Sequence, residues 1–416
     1  MNPISTNIQK PTRLASVAEV IFSNVDKSTL PGEIQVRLCN YTDVYNNRRI
    51  DNRLQFKWGT ATPREIERFR LLKGDVVITK DSESANDIAV PAYIAEDIPD
   101  LVCGYHLAIL RPKTGVLDGR FLAQLLQLHR IRQYFATLAN GITRFGLSTA
   151  AINEANIALP NVVTQRNIAD ILTTWDETLE KLDALIAAKE CRKKAFMQQL
   201  LTGKMRFPTF ASSSWKKVRM SEVLTRVFRP IEWTEDLPLS LVSLRRRCGG
   251  LFRRPDVLGA EYKTQDLHKL KRYDFLVSKR QVVHGAWALV THDYEGSHVS
   301  KEYAILVNAA PNKLHMQFFS WLAQTPRLIR LARVASTGVH IEKLIFDPEV
   351  FLRESIRIPA TVTEQKRIAV TLDATQSELR FLYAQRVALD QQKRGLMQRL
   401  LTARVRVRPE KESRLA

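Results

Sequence analysis

Lys193-Lys-Ala-Phe-Met-Gln-Gln-Leu-Leu-Thr-Gly-Lys-Met-Arg206 is read again 200 residues later as Lys393-Arg-Gly-Leu-Met-Gln-Arg-Leu-Leu-Thr-Ala-Arg-Val-Arg406. Seven of the fourteen aligned positions are identical, and Ile168-Ala169 recurs at the same offset as Ile368-Ala369. The repeated stretch extends from Gln165 to Phe207 and from Gln365 to Val407. A duplication on this scale constrains the architecture before any single residue is interpreted.

Each copy predicts a long helix. In the first, Ile168, Leu172, Trp175, Leu179, Leu182 and Ile186 fall alternately four and three residues apart. In the second, Ile368, Leu372, Leu379, Leu382, Leu389 and Leu396 keep the same register, with Thr375, Arg386 and Lys393 as polar interruptions. Apolar side chains repeating every 3.5 residues form a seam for a second helix. Pro160 and Pro359 stand just before the helices, where the chain must still be extended, and Gly203 sits where a helix ends on a left-handed residue. Thr361 with Glu364 reads as a capping box. One apolar stripe alone would equally describe a buried globular helix. Two stripes in one register, with a lysine at the same seam position (Lys193 and Lys393), favour packing of the pair on each other.

The chain has 416 residues, enough for two or three domains with real cores. A hydrophobic content of 45% with 25% charged residues is that of a globular protein rather than a disordered one. The formal net charge is +20 and the pI about 9.9. So large an excess attracts polyanions, and phosphate backbones bind clustered Lys and Arg through counterion release. Membrane surfaces are the other common polyanion, but no lipidation signal or basic amphipathic terminal helix points there. Met1–Lys10 is polar, without a signal peptide's apolar region, and no apolar run approaches a membrane span. The expectation is a cytoplasmic protein. Cys39, Cys103, Cys191 and Cys248 lie more than 50 residues apart, so they predict neither a zinc site nor a disulfide framework, and read as small apolar fillers.

The repeat extends beyond the helices. Leu72-Lys-Gly-Asp-Val-Val-Ile-Thr-Lys80 is a β-rich run after a turn, and Lys271-Arg-Tyr-Asp-Phe-Leu-Val-Ser-Lys279 repeats it. Tyr105-His-Leu-Ala-Ile-Leu110 is echoed by Glu302-Tyr-Ala-Ile-Leu-Val307. Amphipathic helices are predicted next, Phe121 to Leu138 and Phe318 to Val334, followed by glycine turns at Asn140-Gly141-Ile142 and Thr337-Gly338-Val339. Strands Ile157-Ala-Leu-Pro160 and Ile356-Arg-Ile-Pro359 then lead into the long helices. The expected fold class is α+β: two pseudo-twofold-related mixed α/β units separated by two long helices that pair as an antiparallel coiled coil. The expected boundaries are 1–160 for the first unit, 161–206 for the first helix, 207–359 for the second unit, 360–404 for the second helix and 405–416 for a basic tail.

Pseudo-twofold symmetry with a basic surface suits duplex DNA, whose backbone has local twofold axes. Thr164 to Thr202 is 39 residues, about 58 Å at 1.5 Å per residue and roughly 17 base pairs at 3.4 Å each. An antiparallel pair is therefore a ruler between two units different enough in sequence to read different half-sites.

The plan of variable unit, Pro-x-x-x-Thr-Gln-x-x-Ile-Ala helix, second variable unit and second such helix resembles the specificity (S) subunit of type I restriction-modification systems. The motif stands as Pro160-Asn-Val-Val-Thr-Gln-Arg-Asn-Ile-Ala169 and as Pro359-Ala-Thr-Val-Thr-Glu-Gln-Lys-Arg-Ile-Ala369. Lys-Gly-Asp-Val-Val-Ile-Thr-Lys also resembles a recurrent element of that family's target-recognition domains. Two departures are visible: Thr164 precedes Gln165 where Glu364 precedes Gln365, and Tyr273 stands where the first unit has Gly74, so a different turn is expected before the second strand. The resemblance implies a DNA-binding subunit that reads a bipartite, asymmetric target on double-stranded DNA, one half-site per target-recognition domain, across a spacer set by the coiled coil. It further implies two adenine-modifying methyltransferase (M) subunits docked on the helices, and two restriction endonuclease (R) subunits joining them. S-adenosylmethionine, ATP and Mg are then expected in the partner subunits, and no cofactor in this chain. The alternative is a DNA-binding scaffold or regulatory protein outside restriction-modification.

The residues themselves argue against catalysis. With no Pro-Pro dipeptide, the Asp/Asn-Pro-Pro-aromatic loop of an amino-methyltransferase is missing, and neither Gly-x-Gly nor Gly-x-x-x-x-Gly-Lys occurs. Asp347-Pro348 with Glu364-Gln-Lys366 fits an Asp…Glu-x-Lys nuclease pattern, but the second element falls in the cap of the repeated helix. His284, His292, His298 and Asp293 have no helical metal-ligand spacing. The candidate DNA contacts are Asn46, Asn47, Arg48, Arg49, Lys80 and Arg144 in the first unit, and Arg245, Arg246, Arg247, Arg253, Arg254, Lys279, Arg280 and Gln281 in the second. Arg and Lys suit guanine edges and phosphates, Asn and Gln adenine edges. The bland alternative for each cluster is a solvated surface.

Overall fold

The computed structural model describes residues 11–405; Met1–Lys10 and all of the basic tail beyond Val405 lie outside the described residues. Two compact units divide the chain, Met1–Asp183 with Gln385–Ala416, and Ala184–Ala384. Both divisions fall inside long helices, Val162–Leu200 and Val362–Leu401. Each unit is thus a globular body together with about half of each helix.

In the first unit a five-stranded sheet has the order Ala18–Phe22, Leu107–Pro112, Val76–Thr79, Pro91–Ile94 and Arg49–Ile50. Every pairing is antiparallel except the last. The central strands are apolar on both faces because alternate side chains enter two different cores. Val76 and Ile78 pack with Phe121 and Leu122, whereas Val77 packs with Val36, Leu38 and Phe69. The second unit repeats the plan in a four-stranded antiparallel sheet, Leu224–Val227, Tyr303–Asn308, Phe275–Ser278 and Trp287–Leu289. Phe275 and Val277 face one core and Leu276 the other. In both units a further strand pair closes the body next to the long helix: Pro11–Arg13 with Asn156–Ala158, and Trp215–Arg219 with Ser355–Pro359.

The single amphipathic helix expected in each body is two helices in both. They are Gly119–Leu125 with His129–Leu138, and Met316–Ala323 with Pro326–Val334. Pro326 is the first residue of its helix, where its missing N–H is harmless, but it excludes a helical turn before it. In the first body Leu128 is extended at ψ 134° and breaks the helix without a proline. The turn before the second strand also departs from expectation, because it does not differ. Tyr273 takes φ +66° where Gly74 has φ +101°, at a cost of about 1–2 kcal/mol for a residue with a side chain. The aspartate that follows anchors both turns. Asp75 accepts from Leu72 N at 2.9 Å and pairs with Arg111, while Asp274 accepts from Lys271 N at 2.7 Å and pairs with Arg229.

The long helices pack antiparallel within each unit. In the first, Ile168 and Leu172 share a core with Leu400 and Leu401; in the second, Ile368 and Leu372 share one with Leu200 and Leu201. Among the seam positions Ile168, Leu172, Leu179, Leu182, Ile186, Ile368, Leu372, Leu379 and Leu382 are buried, and Trp175, Leu389 and Leu396 half-buried. Lys393 is only 2% exposed and donates to Asp176 at 2.6 Å; its counterpart Lys193 donates to Gln376 at 2.5 Å. Burial works to raise the Asp176 carboxyl, but the Lys393 ammonium and the Arg48 guanidinium hold it below the ordinary carboxylate range.

The glutamine of the repeated motif fastens each helix to its body. Gln165 Oε1 accepts from Asp118 N, and its Nε2 donates to the Val116 and Pro160 carbonyls. Gln365 makes the same three bonds, with His315 N, Lys313 O and Pro359 O. The capping box is only half formed. Thr361 Oγ1 accepts from Glu364 N at 3.3 Å, but the Glu364 carboxylate pairs with Arg206 instead of returning to the cap. Cys39 and Cys103 are buried and Cys248 half-buried, whereas Cys191 is exposed on the first long helix and fills no core. Among the described residues no helix is long and apolar enough to cross a membrane.

Candidate nucleic-acid interface

In each unit the end of a central strand meets the glycine turn that follows the helix pair. In the first, Leu147 N donates to the Lys80 carbonyl at 2.9 Å, and Phe145–Gly146 pairs with Asp81–Ser82. In the second, Phe346 N donates to the Lys279 carbonyl at 2.8 Å, while Ser336–Thr337 pairs with Ile345–Phe346. The two loops so held are exposed over 141–144 and 338–343. Gly141 and Gly338 are required there. Their φ values are +143° and +152°, and a Cβ would lie 1.8 Å from the Arg144 carbonyl oxygen and 2.7 Å from that of Lys343.

The candidate residues do not all reach solvent. Lys80 is packed between the rings of Phe22 and Tyr105 and lies 3.4 Å from Asp81, so it is walled in. Lys279 is half-buried, and burial together with the neighbouring Arg226 charge lowers its pKa. Arg280 pairs with Glu302 at 2.6 Å, and Gln281 turns inward with its Oε1 buried. Arg144, by contrast, is exposed and has no ion pair among the described residues.

A second feature of the Ala184–Ala384 unit is the hairpin of Val242–Leu244 with Leu251–Arg253. Its tip turns at Arg247 and Cys248, with φ +57° and +54°, two consecutive non-glycine residues in the left-handed region. Such strain persists only where the surroundings enforce it. Here Arg247 N donates to the His284 carbonyl at 2.7 Å and Cys248 N to that of Gly285 at 2.9 Å. The turn exposes Arg245, Arg246 and Arg247. Arg245 lies over the Phe252 ring and Arg246 bonds Glu342, while Arg247 has no ion pair among the described residues. Arg253 bonds Ser240 Oγ and lies over Tyr294, and Arg254 lies over Tyr262. Of the hairpin's arginines only Arg246 has an acidic partner among the described residues, and Arg247 on the rigid turn is held by no ring or hydroxyl contact either.

The first-unit cluster Asn46, Asn47, Arg48 and Arg49 faces the first long helix. Asn46 ends a short helix, and Asn47 Nδ2 donates to the Asp43 carbonyl. Arg48 pairs with Asp176 at 2.7 Å, and Arg49 lies 3.3 Å from Asp51 and 3.7 Å from Glu177. These arginines are already neutralised. Beside them runs a groove of about 1120 Å³ whose walls include Arg130, Arg132, Arg394 and Arg404 against Asp87 and Asp390. Of the four, the sequence offers only Arg394, in the basic pair Lys393-Arg394 on the second long helix, as a residue that lines DNA or meets a partner's acidic surface; Arg130, Arg132 and Arg404 are not sequence candidates, since the groove joins two segments more than 250 residues apart and only folding gathers them. Gln398, also on the groove wall, is an amide beside these cations suited to a base edge.

The residues that fitted catalytic patterns have structural work. Asp347 accepts from Glu349 N and Val350 N to cap a short helix, and Glu364 is buried against Arg206. His284 lies 3.1 Å from Glu342, and His298 is paired into a strand. Among the described residues no three His, Cys, Asp or Glu side chains converge as metal ligands.

Residues 13–188 match the family model for the type I restriction modification DNA specificity domain. A putative type I restriction enzyme specificity subunit, MjaX, from Methanocaldococcus jannaschii is 25% identical over 161 residues, covering 38% of this chain and 36% of that protein. The chain thus aligns with only about a third of that relative's length. Among solved structures, the S subunit of a type I restriction-modification system from M. genitalium is similar at TM-score 0.59 and 12% identity, over 96% of this chain and 98% of that one. A chain from a structure on complex assembly and conformational transition of the type I R-M system gives TM-score 0.53 at 14% identity, over 94% and 97%. At these identities the two structures establish a shared fold.

Proposed function

We infer that this chain, whose residues 13–188 match the type I restriction modification DNA specificity domain, is the DNA-specificity subunit of a type I restriction-modification complex. The observation that carries this is the recurrence, in the second unit, of four of the first unit's five sheet strands in the same order, with the same helix pair and the same glutamine clamp found in the family-matched first unit. A protein built from two such bodies reads two half-sites. Because their exposed loops differ, the target is bipartite and asymmetric, and the helices set the unread spacer. Thirty-nine residues of helix correspond to about 58 Å, or roughly 17 base pairs.

The chain positions and does not cleave or modify. Two methyltransferase subunits dock on the helices and supply adenine modification with S-adenosylmethionine; two endonuclease subunits join them and use ATP and Mg. The complex works in the cytoplasm, on double-stranded DNA. Within this chain, Arg144 and Arg247 are the leading DNA contacts, since each is exposed and unpaired, and the Arg130 to Arg404 groove follows backbone phosphate.

The test is a replacement of residues 207–359 by the corresponding body of another specificity subunit, followed by mapping of methylated positions in a host carrying the partner methyltransferase. One half-site should change and the other persist with the spacer intact. If both half-sites changed, or neither did, one body would not correspond to one half-site.

A further inference from the structure

The two glycine loops carry at their tips the most exposed large apolar residues of their units, Ile142 at 95% and Val339 at 90%. A single exposed aliphatic residue is ordinary. Here the exposure is duplicated at the equivalent place in a repeated construction. Each tip follows a glycine that no side-chain residue could replace, each loop is closed by a short strand pair, and each is hydrogen-bonded to the carbonyl of the strand-end lysine. An aliphatic residue standing clear of its own protein forgoes the stabilisation that burial would bring. The sequence around the two tips otherwise differs, Ile-Thr-Arg-Phe against Val-His-Ile-Glu-Lys, so what persists is the apolar character of the residue after the glycine.

Charge decides what these tips meet. Arg144 lies two residues beyond Ile142, and Lys343 four beyond Val339, both exposed and without an acidic partner among the described residues. The one acid on the second loop, Glu342, is already engaged by Arg246 and His284. An apolar point among unneutralised cations suits a surface that is anionic outside and apolar within, and a base-pair stack flanked by phosphates is such a surface.

We propose that Ile142 and Val339 are apolar wedges that enter the duplex, one in each half-site, and partly unstack a base step there while Arg144 and Lys343 hold the flanking phosphates. This rests on the DNA-specificity reading above. Each wedge spends a few kcal/mol on unstacking and opens the duplex locally. That favours base steps that unstack easily, so part of the half-site preference comes from deformability at steps no polar group reads.

The test uses the full chain assembled with its methyltransferase partner, and duplexes carrying the mapped motif with 2-aminopurine placed in turn at each position of the two half-sites other than the target adenine, which the methyltransferase itself extrudes. Binding should raise 2-aminopurine fluorescence at one step per half-site. Ile142→Ser should abolish the rise in the first half-site alone and Val339→Ser in the second alone, each weakening binding about tenfold. Ile142→Leu should restore both signal and affinity. Because both side chains are exposed, unchanged melting temperatures separate these effects from misfolding. Tight, selective binding with fluorescence quenched at every position, and serine variants that bind as the parent does, would overturn the wedge and leave the specificity role standing. Serine variants that release the methyltransferase when DNA is absent would overturn it too, marking the tips as protein contacts. Failure to select any sequence would instead remove the underlying function.

Discussion

Lys193 and Lys393 occupy one seam position in the two copies of the repeat, yet their partners differ. The position that offers Asp176 to Lys393 offers Gln376 to Lys193, which also lies 5.3 Å from the Trp321 ring. A buried charged pair contributes more to register than to net stability, because desolvation offsets much of the attraction. A slip of one heptad would set Lys393 against Ala169 in one direction and Asp183 in the other, so the pair opposes only the first of these slips. Asp176→Ala should therefore destabilise the first unit by about 3–5 kcal/mol, measured by urea unfolding. The double variant Asp176→Leu with Lys393→Leu should recover most of that loss. A double variant no more stable than Asp176→Ala would mean that the pair's worth is not the avoidance of an uncompensated charge. The sequence marks Lys393 as a polar interruption of the seam, but it cannot display its partner, which lies 217 residues away on the other helix. The same limit separates Arg48 from Arg144. Both are basic candidates by composition, and only the acids that folding brings alongside show which is already neutralised.

The long helices were legible because a 3.5-residue period survives in a single sequence and its duplication removes the ambiguity of one stripe. Their antiparallel packing is seen in each unit through the cores that Leu172 shares with Leu400, and Leu372 with Leu200. The broken helix pairs were not legible in the same way. Phe121 to Leu138 keeps an apolar rhythm across its break, and only Pro326 in the second body announces one. The glutamine clamp was visible as a motif without its reason, which is three bonds to backbone groups some 50 residues upstream and at the preceding proline. The proposed spacing role of the helices can be altered directly. Inserting seven residues after Leu182 and after Leu382 keeps the heptad seam and adds about 10 Å, roughly three base pairs. Methylation mapping should then return the same half-sites with a spacer about three base pairs longer. Altered half-sites with an unchanged spacer would show that the helices do not set the distance.

At the scale of the whole molecule, the +20 charge is not a uniform coat. Asp176, Glu177, Asp183, Glu364 and Glu378 pair with Arg48, Arg49, Arg386, Arg206 and Arg192 beside the helices, and the +20 is the excess of cations that remains after every such pair. Arg144, Arg247 and Lys343, exposed on the loops, have no acidic partner among the described residues, and phosphate contact there would make binding fall steeply with salt. The most direct measurement is methylome sequencing of a host expressing this chain with a type I methyltransferase subunit as the proposed partner, against the methyltransferase alone. A split, asymmetric motif with modified adenine on both strands, present only when this chain is present, is the expected result. A stable complex that leaves no such motif, or a motif that persists without this chain, would contradict the specificity role.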